Sequence, residues 1–511
     1  MIKIEDLTVA FNKTEAVSHV SLDINDGEIL GIVGESGSGK SVTALTLMGL
    51  VSEAATIKSG RIIFDGVTLL QSKRPRDKAL YRKYQGDFMS MVFQEPMTSL
   101  NPTVRVGKQV LEMLKLHTRF GKDEMKKKVI DAFRSVGLSD PEKVYNSYPH
   151  ELSGGMRQRV MISMAVILNP RLIVCDEPTT ALDITVQNQI IELLRDINRE
   201  HHNSMIFITH DLNLARRLCD RLAVMKDGKV CEIGNCEEVF SNPKEAYTKH
   251  LINSVPQRLK KRTPSDVITD KILLSVKDLN VYYKAGSNSL FGAKKRRLIV
   301  RNASFDIREG ESLGLVGESG SGKTTLCKAI LGLNPLVEGE IKCSVLRPQM
   351  IFQDPYSSLN PSKTIGWLMS EPLYATGMKD RKERDKKVLE MLEMVGLPAD
   401  YYTRKPDELS GGQRQRVSIG QALITRPGLV VCDEPVSALD VTIQAQIMEL
   451  MRRLQRELKL SYLFISHDIN VVYHMCDRIM VMHDGEIVEI GDTQEVFDNP
   501  RDEYTKILLK E

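Results

Sequence analysis

Long hydrophobic runs are missing from this chain: purely apolar stretches such as Met164 to Leu168 fall far short of the ~20 residues that cross a bilayer. No segment is expected to span a membrane unaided. The amino terminus, MIKIEDLTVAF, alternates apolar and polar residues and lacks the uninterrupted apolar core of a secretory signal, so the protein is expected to stay where it is made. Cysteine is scarce, with 8 among 511 residues and none paired as CxxC. That excludes a disulfide framework and a zinc site of familiar spacing, and a reducing cytosol is the expected compartment. A surplus of charge is lacking as well. The 70 Lys and Arg against 67 Asp and Glu leave +3, too little to argue for a nucleic-acid or membrane-surface protein on charge alone. With 42% hydrophobic and 27% charged residues the chain is neither disordered nor collagen-like. Its length exceeds the roughly 150 residues of an average domain.

What is present is written twice. GIVGESGSGKS, Gly31 to Ser41, answers GLVGESGSGKT, Gly314 to Thr324. ELSGGMRQRV, Glu151 to Val160, answers ELSGGQRQRV, Glu408 to Val417, and VCDEPTTALD, Val174 to Asp183, answers VCDEPVSALD, Val431 to Asp440. The last two pairs share an offset of 257 residues, which His210 and His467 keep; the glycine-rich loops are offset by 283. The second half has therefore lost a strand-and-loop segment between its loop and Gln353, and gained a stretch around Ser287 to Arg297 before it. A polar, basic segment at 256–271 reads as an exposed linker between a first domain, 1–255, and a second, 272–511.

GEILGIVG and GESLGLVG open apolar runs into Gly-rich turns, LIVCDE and LVVCDE end apolar runs in two acids, and MIFITH and YLFISH end them in histidine. Continuous apolar strands separated by helical segments predict a parallel sheet covered on both faces, hence an α/β fold. Residues 103–165 and 362–422 read mainly as helix, a helical lobe inserted in each half.

G-x-x-x-x-G-K-[ST] needs its glycines so that successive backbone N–H groups turn inward around phosphates, with the positive end of the next helix behind them. Gly34, Glu35, Ser36, Gly37, Ser38 and Gly39 form that loop in the first half, and Gly317, Glu318, Ser319, Gly320, Ser321 and Gly322 in the second. Lys40 and Lys323 would neutralise β- and γ-phosphates, while Ser41 and Thr324 would hold Mg²⁺. Asp176 and Asp433 end strands, from where a carboxylate reaches such a metal. Glu177 and Glu434 would orient or deprotonate a water. Acids at strand ends also cap helices, and it is their doubling downstream of a phosphate loop that favours chemistry. Ser153-Gly154-Gly155 and Ser410-Gly411-Gly412 read equally as helix N-caps or as anion sites. Cys175, Cys432, Cys219 and Cys476 read as small core residues.

Together these motifs resemble the ATP-binding cassette (ABC) ATPases, once per half. The resemblance implies two tandem P-loop NTPase cassettes, each a RecA-like parallel-sheet core with an antiparallel β-subdomain and an inserted helical subdomain. It implies ATP and Mg²⁺ as ligands, with Gln94 and Gln353 joining Ser41, Asp176, Thr324 and Asp433 around the metal, and Glu177, His210, Glu434 and His467 as catalytic groups. In that family two cassettes pair head to tail. Ser410, Gly411, Gly412 and Gln413 would then serve the nucleotide at Lys40, and Ser153, Gly154, Gly155 and Met156 the one at Lys323. Phe11 and Tyr283 fall where the family stacks an aromatic on adenine.

FQEPMTSLNP, FQDPYSSLNP and the tails NPKEAYTKHLI and NPRDEYTKILL are similar to the peptide/nickel importer class, although both tails lack that class's His-Pro pair. An energy-coupling subunit is implied, partnered by two transmembrane permease subunits and an extracytoplasmic substrate-binding protein, peripheral on the cytoplasmic face of the cell membrane. Helices at Val106 to Lys115 and Ile365 to Leu373 are the candidate docking elements. No iron–sulfur cluster is expected, because the Cys-rich segment some relatives carry after the first tail is absent. The alternative is a soluble twin-cassette protein acting on ribosomes or nucleic acid. Such proteins carry a long charged helical linker, so no nucleic-acid partner is expected, and Lys294 to Arg297 (KKRR) reads as a solvated loop.

Overall fold

A computed structural model describes residues 2–12, 14–72, 77–94, 99–180, 182, 184–254, 268–284, 296–318, 320–334, 336–345, 347–354, 358–437 and 439–510. Most of the basic linker, most of the 287–297 insertion and Ser319 lie outside these. The chain divides into two units, Met1–Val255 and Pro256–Glu511, except that Asp440–Thr442 is grouped with the first.

In the first unit a six-stranded sheet has the order Lys229–Asn235, Arg221–Lys226, Ile29–Val33, Ser204–Thr209, Leu172–Asp176, Met89–Val92. Every pairing in it is parallel except that of the outer Lys229–Asn235 strand. All residues of Ile29–Val33, Leu172–Asp176 and Ser204–Thr209 are buried. Alternate side chains enter two different cores, as the two-residue period of a strand requires. Leu30, Ile32, Leu172, Val174, Ile206 and Ile208 face one core, shared with Ile2, Ile4, Leu7 and Leu47. That core joins the sheet to the helix Lys40–Leu47 and to a four-stranded antiparallel sheet ordered Thr14–Ile24, Ile2–Phe11, Ala55–Phe64, Val67–Gln71. Ile29, Val33, Ile173, Cys175, Met205 and Phe207 face the other core, shared with Val106, Val110, Phe133 and Val160 of the helical lobe. The lobe comprises Val106–His117, Lys122–Ser135, Pro141–Asn146 and Gly154–Val166.

The second unit repeats this plan around Ser312–Val316, flanked in parallel by Ser461–Ile465 and Arg478–His483. Its antiparallel sheet has three strands, Arg296–Arg308, Ile272–Lys284 and Val337–Cys343. Among the described residues, the shorter spacer to Gln353 carries no counterpart of Val67–Gln71 or of the helix Lys78–Tyr84. Among the described residues no helix is long and apolar enough to cross a membrane.

Candidate active site

Parallel strands deliver their carboxyl ends to one edge, and that edge is where ligands bind in open α/β sheets. The register sets Val33 beside Thr209, Asp176 beside Ile208 and Val92 beside Cys175. Hence the phosphate loop, His210, the acids and Gln94 emerge together. The Asp176 strand lies between the strands that end at His210 and near Gln94, so Glu177 is flanked by both.

The loop backbone is one that only glycine adopts at its key points. Gly39 has φ 97° as the N-cap of Lys40–Leu47, and Gly322 has φ 108° before Lys323–Ile330. A β-carbon on Gly34 would collide with the Met225 carbonyl, and one on Gly317 with that of Met482. Beside Gly37 and Gly320 a β-carbon would meet nothing within 4 Å, so the loop crest is open. Lys40 Nζ donates to the carbonyls of Gly34 and Glu35, both at 2.8 Å, and Lys323 Nζ repeats this on Gly317 and Glu318 at 2.8 Å. Burial holds the Lys40 ammonium below the ordinary lysine value, against the opposing charges of Glu177 and Asp176.

Ser41 Oγ donates to Asp176 at 3.0 Å, and Thr324 Oγ1 lies 3.3 Å from Asp433. Burial pushes the Asp176 carboxyl up to about 6, and the neighbouring Glu177 charge adds to this while Ser41 and Lys40 oppose it. Asp433 is raised by burial and Glu434 in the same way. Burial, more than the neighbouring carboxylate, disfavours ionisation of both side chains. The paired oxygens of Ser41 and Asp176, and of Thr324 and Asp433, make a hard donor set that fits Mg²⁺, while the amides of Gln94 and Gln353 are turned to Glu177 and Glu434.

Around Glu177 three donors converge on one oxygen. Oε2 accepts from Gln94 Nε2 at 3.0 Å and Thr180 Oγ1 at 2.9 Å, and His210 Nδ1 stands 3.2 Å from it. Glu434 Oε2 accepts from Gln353 Nε2 at 2.8 Å, with His467 Nδ1 at 3.1 Å. Burial pushes the Glu177 carboxyl up, but the hydrogen bond and charge of His210 outweigh it and leave it below the usual glutamate value. His210 is the mirror case: burial lowers it, Glu177 outweighs that, and the imidazole is raised. Glu434 and His467 shift likewise. Each pair is thus favoured in its charged form.

Two features escaped the sequence reading. Glu177 and Glu434 hold the left-handed backbone, φ 46° and 49°, a conformation costing about 1–2 kcal/mol per non-glycine residue. Each is fixed there by its N–H, which donates to Ile208 O or Ile465 O. The second is Thr180 as a partner of the carboxylate. Its signal was the TALD and SALD repeat, which marks Thr180 and Ser437; Ser437 Oγ donates to the Glu434 carbonyl at 3.1 Å.

Ser153 and Ser410 stand as N-caps of Gly154–Val166 and Gly411–Leu423, accepting from Met156 N at 3.3 Å and Gln413 N at 3.4 Å. Phe11 ends its strand partly buried, whereas Tyr283 is exposed. Cys175 and Cys432 are buried in their strands, and burial pushes the Cys175 thiol up to about 12, as inert core residues require.

Residues 17–180 and 300–437 match the family model described as ABC transporter, and residues 231–274 and 488–511 match that described as the oligopeptide/dipeptide transporter C-terminal region. Over its whole length the chain is 42% identical to the peptidoglycan transport ATP-binding protein YejF of Agrobacterium fabrum, covering 96% of that protein. It is 40% identical, again over its whole length, to the glutathione import ATP-binding protein GsiA of Pectobacterium atrosepticum, covering 89% of it. In a solved complex of archaeal ribosome recycling factor aABCE1 with ribosomal stalk protein aP1, one chain matches with a TM-score of 0.64 at 22% identity. The match covers 96% of this chain and 90% of that one, a likeness of fold alone.

Proposed function

We propose that this chain, which belongs to the ABC transporter family and is an ATP-hydrolysing subunit of an importer, drives uptake of peptides or of a small peptide-like or metal-complex cargo. The observation that carries this is the C-terminal region of oligopeptide/dipeptide transporters, matched in both halves. Relatives named for glutathione import and peptidoglycan transport point the same way.

In the proposed mechanism the N–H groups of each loop cradle the phosphates of ATP, and Lys40 or Lys323 moves from its carbonyl partners to the β- and γ-phosphates. Mg²⁺, held by Ser41, Asp176 and Gln94 or by Thr324, Asp433 and Gln353, would offset phosphate charge. Glu177 or Glu434 accepts a proton from water as its oxygen attacks the γ-phosphorus and the bond to the β-phosphate oxygen breaks, releasing ADP and phosphate. His210 and Gln94 hold the carboxylate in the orientation this requires. Gly39 lies against Ala16 of the antiparallel sheet, whose neighbour Glu15 pairs with Ala10. That puts the strand end at Phe11 on the loop's flank, in keeping with an adenine-stacking role for Phe11 and, by the repeat, Tyr283.

Relatives named as ATP-binding proteins of transport and import systems support the same arrangement for this chain: two separate permease subunits hold the pore, an extracytoplasmic binding protein serves them, and the chain acts at the cytoplasmic face of the membrane. The helices Val106–His117 and Ile365–Ala375, with exposed Phe93, Phe352, Leu116, Trp367 and Tyr374 on or near them, support the docking assignment. Affinity purification of the Glu177→Gln/Glu434→Gln protein from mildly solubilised native membranes tests the reading. Two multi-span proteins in stoichiometric yield are expected; ribosomal proteins or nucleic acid without a membrane partner would overturn it.

A further inference from the structure

The tail of each half returns to its own phosphate loop. In the first unit, the helix Ala246–Ser254 carries Tyr247, whose hydroxyl oxygen accepts the Glu35 N–H at 3.3 Å. In the second, Glu503–Lys510 carries Tyr504, which accepts the Glu318 N–H at 3.0 Å. Glu35 and Glu318 are the second residues of the two loops, and the contact joins positions 212 residues apart in one half and 186 apart in the other.

The peptide unit involved is the informative part. A trans peptide is planar, with its C=O and N–H on opposite edges. The unit joining Gly34 to Glu35 offers its N–H to Tyr247 and its carbonyl to Lys40 Nζ. The unit joining Gly317 to Glu318 is held by Tyr504 and Lys323 in the same way. Each loop lysine therefore rests on a peptide that the tail grips from behind.

The grip is built rather than incidental. The Glu232 carboxylate accepts the N–H groups of Lys244 and Glu245 at 2.9 and 3.1 Å, pinning the turn before the first tyrosine. Glu489 accepts those of Arg501 and Asp502 at 2.9 and 3.1 Å. Beneath the rings, Lys226 Nζ lies 4.8 Å from the Tyr247 centroid, and His483, its counterpart in the repeat, stacks on Tyr504 at 3.9 Å. The tails have lost the His-Pro pair of their class and kept the tyrosine.

We propose that Tyr247 and Tyr504 are positioning residues for the two phosphate loops. Each hydroxyl fixes the peptide on which the loop lysine rests, so seating of the C-terminal segment prepares that half's loop for nucleotide. The inference rests on the nucleotide-binding reading of the loops. A loop held in its binding shape gives up less freedom when phosphate arrives, so loss of the hydroxyl weakens ATP binding.

The test is Tyr247→Phe and Tyr504→Phe in the full chain, which remove one oxygen and keep the ring. Amide exchange is followed in peptides containing Glu35 and Glu318, and ATP affinity is resolved by half through photo-cross-linking of 8-azido-ATP. Faster exchange and affinity lower by about three- to tenfold in the substituted half alone are expected, the range set by one net hydrogen bond. Unchanged exchange, faster exchange with affinity within about twofold, or equal effects on both halves would each overturn the proposal, the last by showing general destabilisation. A wild-type chain that binds no ATP would overturn the nucleotide reading and this inference together; wild-type binding with unaltered variants overturns this inference alone.

Discussion

The two halves keep the same glutamine and histidine around their glutamates and differ in the hydroxyl beside them, Thr180 on the Glu177 carboxylate and Ser437 on the Glu434 carbonyl. Gln94 and His210 meet one oxygen of Glu177 as Gln353 and His467 meet one oxygen of Glu434, with distances agreeing within a few tenths of an ångström. Meanwhile the antiparallel sheet drops from four described strands to three, serine gives way to threonine beside the strand-end aspartate, and Met156 to Gln413 in the first turn of the helix capped by Ser153 or Ser410. The Gln–Glu–His geometry is held, while the strand count of the antiparallel sheet and the residues beside the aspartate and after the Ser-Gly-Gly turn vary.

The largest effect that probes this equivalence is removal of the two proposed bases. Glu177→Gln and Glu434→Gln together should lower turnover by about 10²–10⁴-fold while leaving ATP binding in place, as read by phosphate release and equilibrium binding. Each single variant should remove its own site's share. Unequal residual rates would break the symmetry that the matching distances imply.

The strand-end aspartates sharpen it. Asp176 has a folded-state value of about 6 against an ordinary 3.8. The folded state therefore binds its proton more tightly than the unfolded one, and the penalty for ionising it is absent well below pH 4 and complete above about pH 6. Asp176→Asn should stabilise the nucleotide-free first unit at pH 7 by about 1–3 kcal/mol, at roughly 1.4 kcal/mol per pKa unit, and remove the fall in stability between pH 4 and 6. Its Mg²⁺-dependent ATP binding should be lost. Asp433→Asn should act in the same direction by less. Urea unfolding across that pH range, with nucleotide binding alongside, checks both; destabilisation by either variant would show that the aspartate is structurally compensated.

The smallest effect concerns the helices Gly154–Val166 and Gly411–Leu423. Gln413 accepts from Ser410 N at 3.0 Å and closes a reciprocal capping box, whereas Met156 offers no such acceptor to Ser153. Met156→Gln should add about 0.5–1 kcal/mol to the first unit, and Gln413→Met should subtract as much from the second, measured as paired shifts in thermal midpoint.

Much of this was legible without coordinates. The glycine loops, paired acids and strand-end histidines each carry their chemistry in a short window, and apolar runs such as Leu172 to Cys175 announce a sheet buried on both faces. The left-handed backbone at Glu177 and Glu434 was not legible, because glutamate gives no local sign of φ above zero and a tertiary hydrogen bond to Ile208 or Ile465 holds it. Nor was the tyrosine clamp: a tyrosine early in a tail helix reads as core until the fold shows what its hydroxyl meets.

The sequence by itself determined the doubling, the α/β class, the family and which residue types gather at the carboxyl edge of each sheet, since those rest on residue type and local spacing. Tertiary structure decided which of these groups touch. Strand order set the Asp176 strand between those of His210 and Gln94, and the return of each tail brought Tyr247 to Glu35 and Tyr504 to Glu318. Such pairings join residues tens to hundreds of positions apart. Only burial of both faces of the sheet, summed over the whole unit, fixes them.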